Sequence, residues 1–251
     1  MDVINNSFQQ IGENGSLEKN SFDLILADPP YGVTNTKYDK DGFDVDAFWS
    51  FIKDYIKKDG VVVITAVMQF AIELISKAPK GWFRYDIVWE KTQATGHLNA
   101  KKRPMRAHEL LLVFSPSGCH TYNPQMTHGH VRKVSKAESK MNCRESEVYN
   151  KTTKKTSYDS TDRYPRSVIK FATDKQKLCI HPNQKPVALL EWIVKTYTNE
   201  DGRVLDPVAG SGSTGIACLK TGRECTLIEK DETYFKDMVM RLSNYIDKGY
   251  E

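Results

Sequence analysis

The chain has 251 residues, 39% hydrophobic, 27% charged and 10% aromatic, with a formal net charge of +4. That length and apolar content suffice for one α/β domain with a sizeable core and leave room for a small insertion. No apolar run approaches the roughly 20 residues of a membrane span, and the opening Met1-Asp2-Val3-Ile4-Asn5-Asn6 lacks a basic-then-apolar leader, so the expected compartment is the cytoplasm.

In chain order, Asp2 to Ser7 reads as a short strand and Phe22 to Asp28 as a second, followed by a polar, turn-rich loop from Gly32 to Gly42. Phe48, Phe51, Ile52, Tyr55 and Ile56 recur at helical spacing, which predicts a helix over Asp44 to Lys58 with Asp44 as N-cap. Val61 to Thr65 is a β-branched run, a central strand. A helix over Val67 to Ala78 is stopped by Pro79 and Gly81. Strands at Phe83 to Glu90 and Leu110 to Phe114 flank a basic connection, Thr92 to His108, holding Lys101, Lys102, Arg103 and Arg106. From Ser115 to Leu178 periodicity disappears, as expected for irregular structure or a small insert. It returns with a helix at Pro186 to Tyr197, a strand at Arg203 to Asp206, a helix at Ser213 to Lys220, a strand at Cys225 to Glu229 and a closing helix at Asp231 to Ile246. Strands alternating with helices at both ends predict an α/β fold: a single doubly wound, mostly parallel sheet of seven strands, with ligands bound past the carboxyl ends of the strands.

Five cysteines, Cys119, Cys143, Cys179, Cys218 and Cys225, include no Cys-x-x-Cys pair, so neither a disulfide framework nor a zinc site is expected. His128-Gly129-His130 is the only close histidine pair, and no metal is required. Between Cys119 and Leu178 stand thirteen Lys and Arg against six Asp and Glu, so the rest of the chain is slightly acidic. A solvated loop would tolerate that surplus, but a basic segment in a neutral body is also the footprint of phosphate contacts.

Two stretches carry chemistry. The first, Asp28-Pro29-Pro30-Tyr31, closes the apolar run from Phe22. Two prolines fix φ and remove backbone donors, which leaves a stiff ledge with free carbonyls. A carboxylate before the ledge and an aromatic face after it suit a planar group bearing an exocyclic amine, such as a nucleobase, although an ordinary turn uses the same residue types.

The second is Val204-Leu205-Asp206-Pro207-Val208-Ala209-Gly210-Ser211-Gly212-Ser213-Thr214-Gly215, a strand, a tight turn and a helix start. Gly210, Gly212 and Gly215 satisfy G-x-G-x-x-G, so a dinucleotide is one candidate ligand. Asp206 at the strand end would repel a pyrophosphate but attract the ammonium or sulfonium of S-adenosylmethionine, which makes the latter the leading candidate. With either ligand, Glu229 at the end of the next strand can accept from ribose hydroxyls, and close approach of the ligand would explain Gly210 and Gly212.

Taken together, Asp28-Pro29-Pro30-Tyr31, then His181-Pro182-Asn183-Gln184-Lys185-Pro186, then Asp206 to Gly212, then Glu229 with Tyr234, resemble the amino-methylating DNA methyltransferases. The order, catalytic motif first and cofactor motif last, is that of their β class. Trp89 to Thr92, Leu98 to Lys102 and His108-Glu109 are similar to the phage-borne and restriction-associated members. The likeness covers nearly all of the chain outside roughly Met126 to Tyr158. Two positions depart from the family pattern: Val208 stands in place of a Phe, and Leu227 where a Gly is common.

The resemblance implies a Rossmann-like methyltransferase fold divided into a catalytic half (1–118), a basic target-recognition insert (119–178) and a cofactor-binding half (179–251). It implies S-adenosyl-L-methionine as cofactor and double-stranded DNA as partner. Asp28 and the Pro29 carbonyl would accept from the target amine, Pro30 would stiffen the ledge, and Tyr31 would stack on the flipped base. Asn6 would lie beside the cofactor adenine, and Glu229 would hold the ribose. Asp206 and the turn Gly210-Ser211-Gly212-Ser213-Thr214 would hold the methionine part, with Gln184 and Lys185 closing that end beside Asp28. Lys101, Lys102, Arg103, Arg106, His108, Arg132, Lys133, Arg163 and Arg166 would face DNA.

The expected product is N6-methyladenine, with N4-methylcytosine and a protein or small-molecule amide as alternatives. A non-catalytic DNA-binding module and a dehydrogenase are more distant readings. A homodimer and a cognate restriction endonuclease are open expectations.

Overall fold

The computed structural model describes residues 1–32, 42–136, 157–172, 184–247 and 249. Cys143, Cys179, His181, Pro182, Asn183 and the basic residues at 140–155, 175 and 177 lie outside them, as does most of the Gly32 to Gly42 loop.

The larger of two compact units comprises Met1–Asn123 and Ser167–Glu251. Its strands are β1 (Asp2–Asn5), β2 (Phe22–Ala27), β3 (Ile56–Ala66), β4 (Phe83–Thr95), β5 (Arg106–Phe114), β8 (Val168–Phe171), β9 (Arg203–Asp206) and β10 (Glu224–Glu229). They form one sheet in the order β1-β10-β9-β2-β3-β5-β4-β8. Every neighbouring pair is parallel except β3 with β5 and β5 with β4. Helices α1 (Phe8–Asn14), α2 (Val45–Tyr55), α3 (Met68–Lys77), α4 (Val187–Tyr197), α5 (Ser213–Thr221) and α6 (Glu232–Asp247) complete the unit.

The double winding follows from alternation within the apolar strands. Successive side chains of a strand point to opposite faces. Ile25 and Ala27 of β2 and Val62 and Ile64 of β3 therefore join Phe48, Trp49, Ile52, Phe70 and Leu74 of α2 and α3. Leu24, Leu26, Val61 and Val63 join Leu189, Ile193, Tyr197, Ile216, Met238 and Leu242 of α4 to α6. From β2 the chain winds to β3 on one side, and from β9 it winds to β10 on the other. The switch point, where such folds take their ligands, thus lies between the adjacent ends of β2 and β9.

Four details differ from expectation. The sheet has eight strands rather than seven, because Val168–Phe171 pairs in parallel with Val88–Lys91 at the edge. Helix α1 forms where no element is expected; the Ser7 side chain caps it by accepting from Gln10 N, and Gly15 ends it at φ 62°. Helix α2 stops at Tyr55, short of Lys58, because the next residues already pair with β2. Strands β4 and β5 extend past their apolar cores into a long hairpin, with Lys101, Lys102 and Arg103 exposed at its tip.

The second compact unit spans Pro124–Arg166. Strands β6 (Lys133–Ser135) and β7 (Tyr158–Ser160) pair antiparallel within it. No helix among the described residues is long and apolar enough to cross a membrane.

Candidate active site

Strand β2 hands over at Ala27 to Asp28, and the two prolines hold the chain clear of the sheet. Two hydroxyls turn onto the Asp28 carboxylate. Tyr31 Oη lies 2.7 Å from Asp28 Oδ1 and 2.8 Å from Thr65 Oγ1, and Thr65 Oγ1 itself donates to Asp28 Oδ1. Thr65 is fully buried near the end of β3, the strand beside β2. The Tyr31 ring packs on Phe70 of α3 at 5.7 Å between centroids.

Lys185 enters from the segment before α4 and places Nζ 2.7 Å from the Asp28 carboxylate. The same ammonium lies 3.3 Å from Glu109 Oε2 and 5.6 Å from the Tyr31 ring centre. Glu109, on β5, is ion-paired in turn with Lys91 on β4. Burial disfavours the Lys185 charge, but Asp28 and Glu109 outweigh it and raise its pKa above the ordinary lysine value. Burial, reinforced by the charges of Asp28 and Glu109, holds the Tyr31 phenol well above its usual range, so it stays a donor.

The glycine segment lies across the switch point. Asp206, the last residue of β9, is buried and accepts from Val208 N at 3.1 Å and Thr214 Oγ1 at 2.6 Å. Burial pushes its carboxyl up to about 7; those two hydrogen bonds oppose the rise, and the nearby charges of Asp28 and Glu229 add to it. Glu229, at the end of β10, accepts from Gly210 N and Asp231 N, each at 2.8 Å. Burial raises its pKa too, against those two bonds.

The turn is braced from α6, where Arg241 Nη1 donates to Ser211 O at 2.8 Å, Ser213 Oγ at 3.0 Å and Ser211 Oγ at 3.1 Å. Gly212 sits at φ 73°, and a Cβ there would meet Met238 Cγ at 2.6 Å. A Cβ on Gly215 would meet Leu227 Cδ1 at 2.8 Å. Packing against α6 thus already demands a glycine at 212, one of the two positions where ligand approach is expected, and packing against β10 demands one at 215.

Asn6, Pro30, Phe43, Pro207, Val208 and Glu229 line one cleft. The proline ledge and the glycine segment, distant in sequence, thus share a cavity. Asn6 is fixed there by its N–H to Glu229 O at 3.1 Å and by accepting Ser7 N at 2.8 Å. Gln184 has both side-chain amide atoms buried with no hydrogen-bond partner among the described residues.

Of the expected DNA-facing residues, Lys101, Lys102, Arg103, Arg106 and His108 are exposed on the β4–β5 hairpin. In the second unit, Arg132 is committed to Asp159 through bonds of 2.6 and 2.7 Å. Arg163 is spent on the carbonyls of Val131, Ser160 and Asp162. Lys133 and Arg166 are exposed. Sequence reasoning gave no role to Thr65, Lys91, Glu109 or Arg241. Lys91 and Glu109 fall in stretches singled out by resemblance; Thr65 and Arg241 carry no local signal.

The chain is 28% identical over 225 residues to the type II methyltransferase M1.MboII of Moraxella bovis, covering 82% of this chain and 84% of that one. Against another curated type II methyltransferase, the match takes in only 44% of the relative's length. The M1.HpyAVI–SAM complex superposes with a TM-score of 0.64 at 22% identity, covering 96% and 99% of the two chains. The cytosine-N4-specific PvuII DNA methyltransferase superposes at 0.66 and 16%, covering 98% and 92%. The sequence profile of the DNA methylase family, the N6- and N4-directed amino-methyltransferases, matches residues 22–240, and the chain belongs to that family.

Proposed function

We propose that the protein is a site-specific DNA methyltransferase that moves a methyl group from S-adenosyl-L-methionine to the exocyclic N6 amine of an adenine flipped out of the duplex. The observation that carries this reading is the placement of Asp28. Its carboxylate, braced by Tyr31, Thr65 and Lys185, stands at the switch point within electrostatic reach of Asp206.

The residues present fit the cofactor. Asp206 is a buried carboxylate that lacks a counter-ion among the described residues and suits a cationic methionine part. The unpartnered Gln184 amide offers a buried donor and acceptor to the same end. Glu229 keeps lone pairs for ribose hydroxyls, and Asn6, Phe43 and Val208 wall the cleft for an adenine. When bound, the cofactor supplies a methyl group made electrophilic by its sulfonium.

The chain's own groups act on the base. An amine conjugated with a purine ring is a poor nucleophile. Accepting its N–H groups at Asp28 and the Pro29 carbonyl draws the nitrogen toward tetrahedral geometry and frees its lone pair. Two hydroxyls and Lys185 occupy three of the roughly four acceptor positions of Asp28, which leaves one for the amine. The remaining work is positioning and preorganised electrostatics. Extrusion of the base costs a few kcal/mol, which stacking on Tyr31 offsets. Cys218 and Cys225 are buried, and no covalent intermediate is needed.

Asp as the first residue of the tetrapeptide favours adenine. The second reading, N4-cytosine transfer, is favoured by the fold likeness to a cytosine-N4-specific enzyme. Incubating unmethylated DNA with the protein and labelled cofactor, then digesting it to nucleosides, separates them. The expected label is in N6-methyldeoxyadenosine, and label in N4-methyldeoxycytidine would overturn the adenine assignment.

A further inference from the structure

We propose that Lys185 and Glu109 are positioning residues that set the charge of the amine-accepting carboxylate, and that Lys185 is not a ligand of the cofactor. The inference rests on the function proposed above.

Four side chains from four parts of the fold form an alternating chain, Lys91–Glu109–Lys185–Asp28. Its three inner contacts are shielded from solvent: the side chains of Lys91 and Glu109 are each 11% exposed and that of Lys185 is 9%. Asp28 is the most open member at 27%, as a substrate-facing group must be. The two positive and two negative charges of this chain balance one another.

Lys185 donates to Asp28 and contacts Glu109, and among the described residues it has no hydrogen bond or ion pair with the glycine turn. Among the described residues, the charged and titratable groups facing Asp28 are Tyr31 from its own loop, Lys185, Glu109 on β5 and Asp206 on β9, with Lys91 behind Glu109. Lys185 is the only cation among these in direct contact with Asp28. Its loss would leave Asp28 and Glu109 as neighbouring carboxylates that draw in a proton. A protonated Asp28 has lost accepting capacity for the amine. Glu109 does the opposite: it competes with Asp28 for the Lys185 ammonium, and its neutralisation hands that charge wholly to Asp28.

The test is the pH dependence of kcat at saturating cofactor and DNA, which reports groups in the bound complex. Saturation also keeps Asp206 out of the profile, because the cofactor is then in place. Lys185→Met is expected to move the acid limb of kcat up by about one unit, which slows transfer about tenfold on that limb. Glu109→Gln is expected to move the same limb down, and Lys185→Arg to restore most of the rate. Cofactor Kd, measured by calorimetry on each variant, is expected to stay within about threefold of wild type, which also shows that the variants fold. A general packing defect would not shift the two limbs in opposite directions.

The proposal is overturned if Lys185→Met weakens cofactor binding tenfold while the kcat profile stays in place, or if both variants shift the limb the same way. Absence of DNA methylation by the wild-type chain would overturn the parent reading, and this one with it.

Discussion

Tyr31 turns its hydroxyl back onto Asp28, three residues upstream, with Oη 2.7 Å from Oδ1. The aromatic plate and the carboxylate are therefore a single unit, further pinned by Thr65 on the neighbouring strand. Tyr31→Phe removes the hydroxyl and keeps the plate, at a cost of one hydrogen bond to a charged group. Single-turnover methyl transfer is expected to fall by about tenfold, as expected for the loss of such a bond. Tyr31→Ala also loses base stacking and is expected to fall further by roughly 1–3 kcal/mol of transition-state stabilisation. Equal rates for wild type and Tyr31→Phe would show that the hydroxyl does not position Asp28.

Asp206 couples stability to cofactor binding through pH. Its folded carboxyl is raised to about 7 by burial, far above the unfolded value. The native state thus holds this proton where the unfolded chain has released it, and stability falls as pH rises toward 7. Asp206→Asn removes that penalty. Its gain in Tm for the ligand-free protein is expected to be larger at pH 8 than at pH 5. Cofactor affinity of the wild type runs the other way, tightening about tenfold from pH 6 to pH 8 as the carboxylate ionises. Asp206→Asn is expected to bind weakly and with a flat profile. Scanning fluorimetry and calorimetry at both pH values check this; an equal Tm gain at pH 5 and pH 8 would refute the assignment.

Lys101, Lys102 and Arg103 stand exposed at the tip of the β4–β5 hairpin, where they are open to phosphate contacts. Reversing Lys101 and Arg103 to Glu is expected to weaken DNA binding and to flatten the slope of log affinity against log salt by about 0.9 per lost contact. Arg132→Ala is expected to leave that slope unchanged, because the guanidinium is already paired with Asp159. Fluorescence anisotropy across a salt series measures both. An unaltered slope in the hairpin variant would move the DNA surface elsewhere.

What could be read from sequence was what the chain writes locally. The β-branched Val61 to Thr65, the proline ledge after β2 and the glycine turn after β9 each carry their signal within about ten residues. Both functional segments share the cleft that holds Pro30 and Glu229. The short edge strand β8 stayed hidden: Val168 and Lys170 are exposed, Ile169 and Phe171 only half-buried, and the pairing is with β4, some 80 residues away. Helix α1 has only Phe8 and Ile11 to bury, too few to show a period. The charge chain was invisible for a different reason. Lys91 and Glu109 look like ordinary surface charges until the sheet brings β4, β5 and the approach to α4 onto Asp28. Lys185 has an expected role toward the cofactor; its contacts with Asp28 and Glu109 are the basis of the positioning role proposed above.

The most direct measurement compares Asp28→Ala with wild type in a single-turnover assay of methyl transfer to DNA, with cofactor and DNA binding measured on the same samples. The account predicts that transfer in the variant falls by about a thousandfold or more while both ligands still bind, since the lost interaction is one made to the reacting amine. Transfer at the wild-type rate by Asp28→Ala would contradict it.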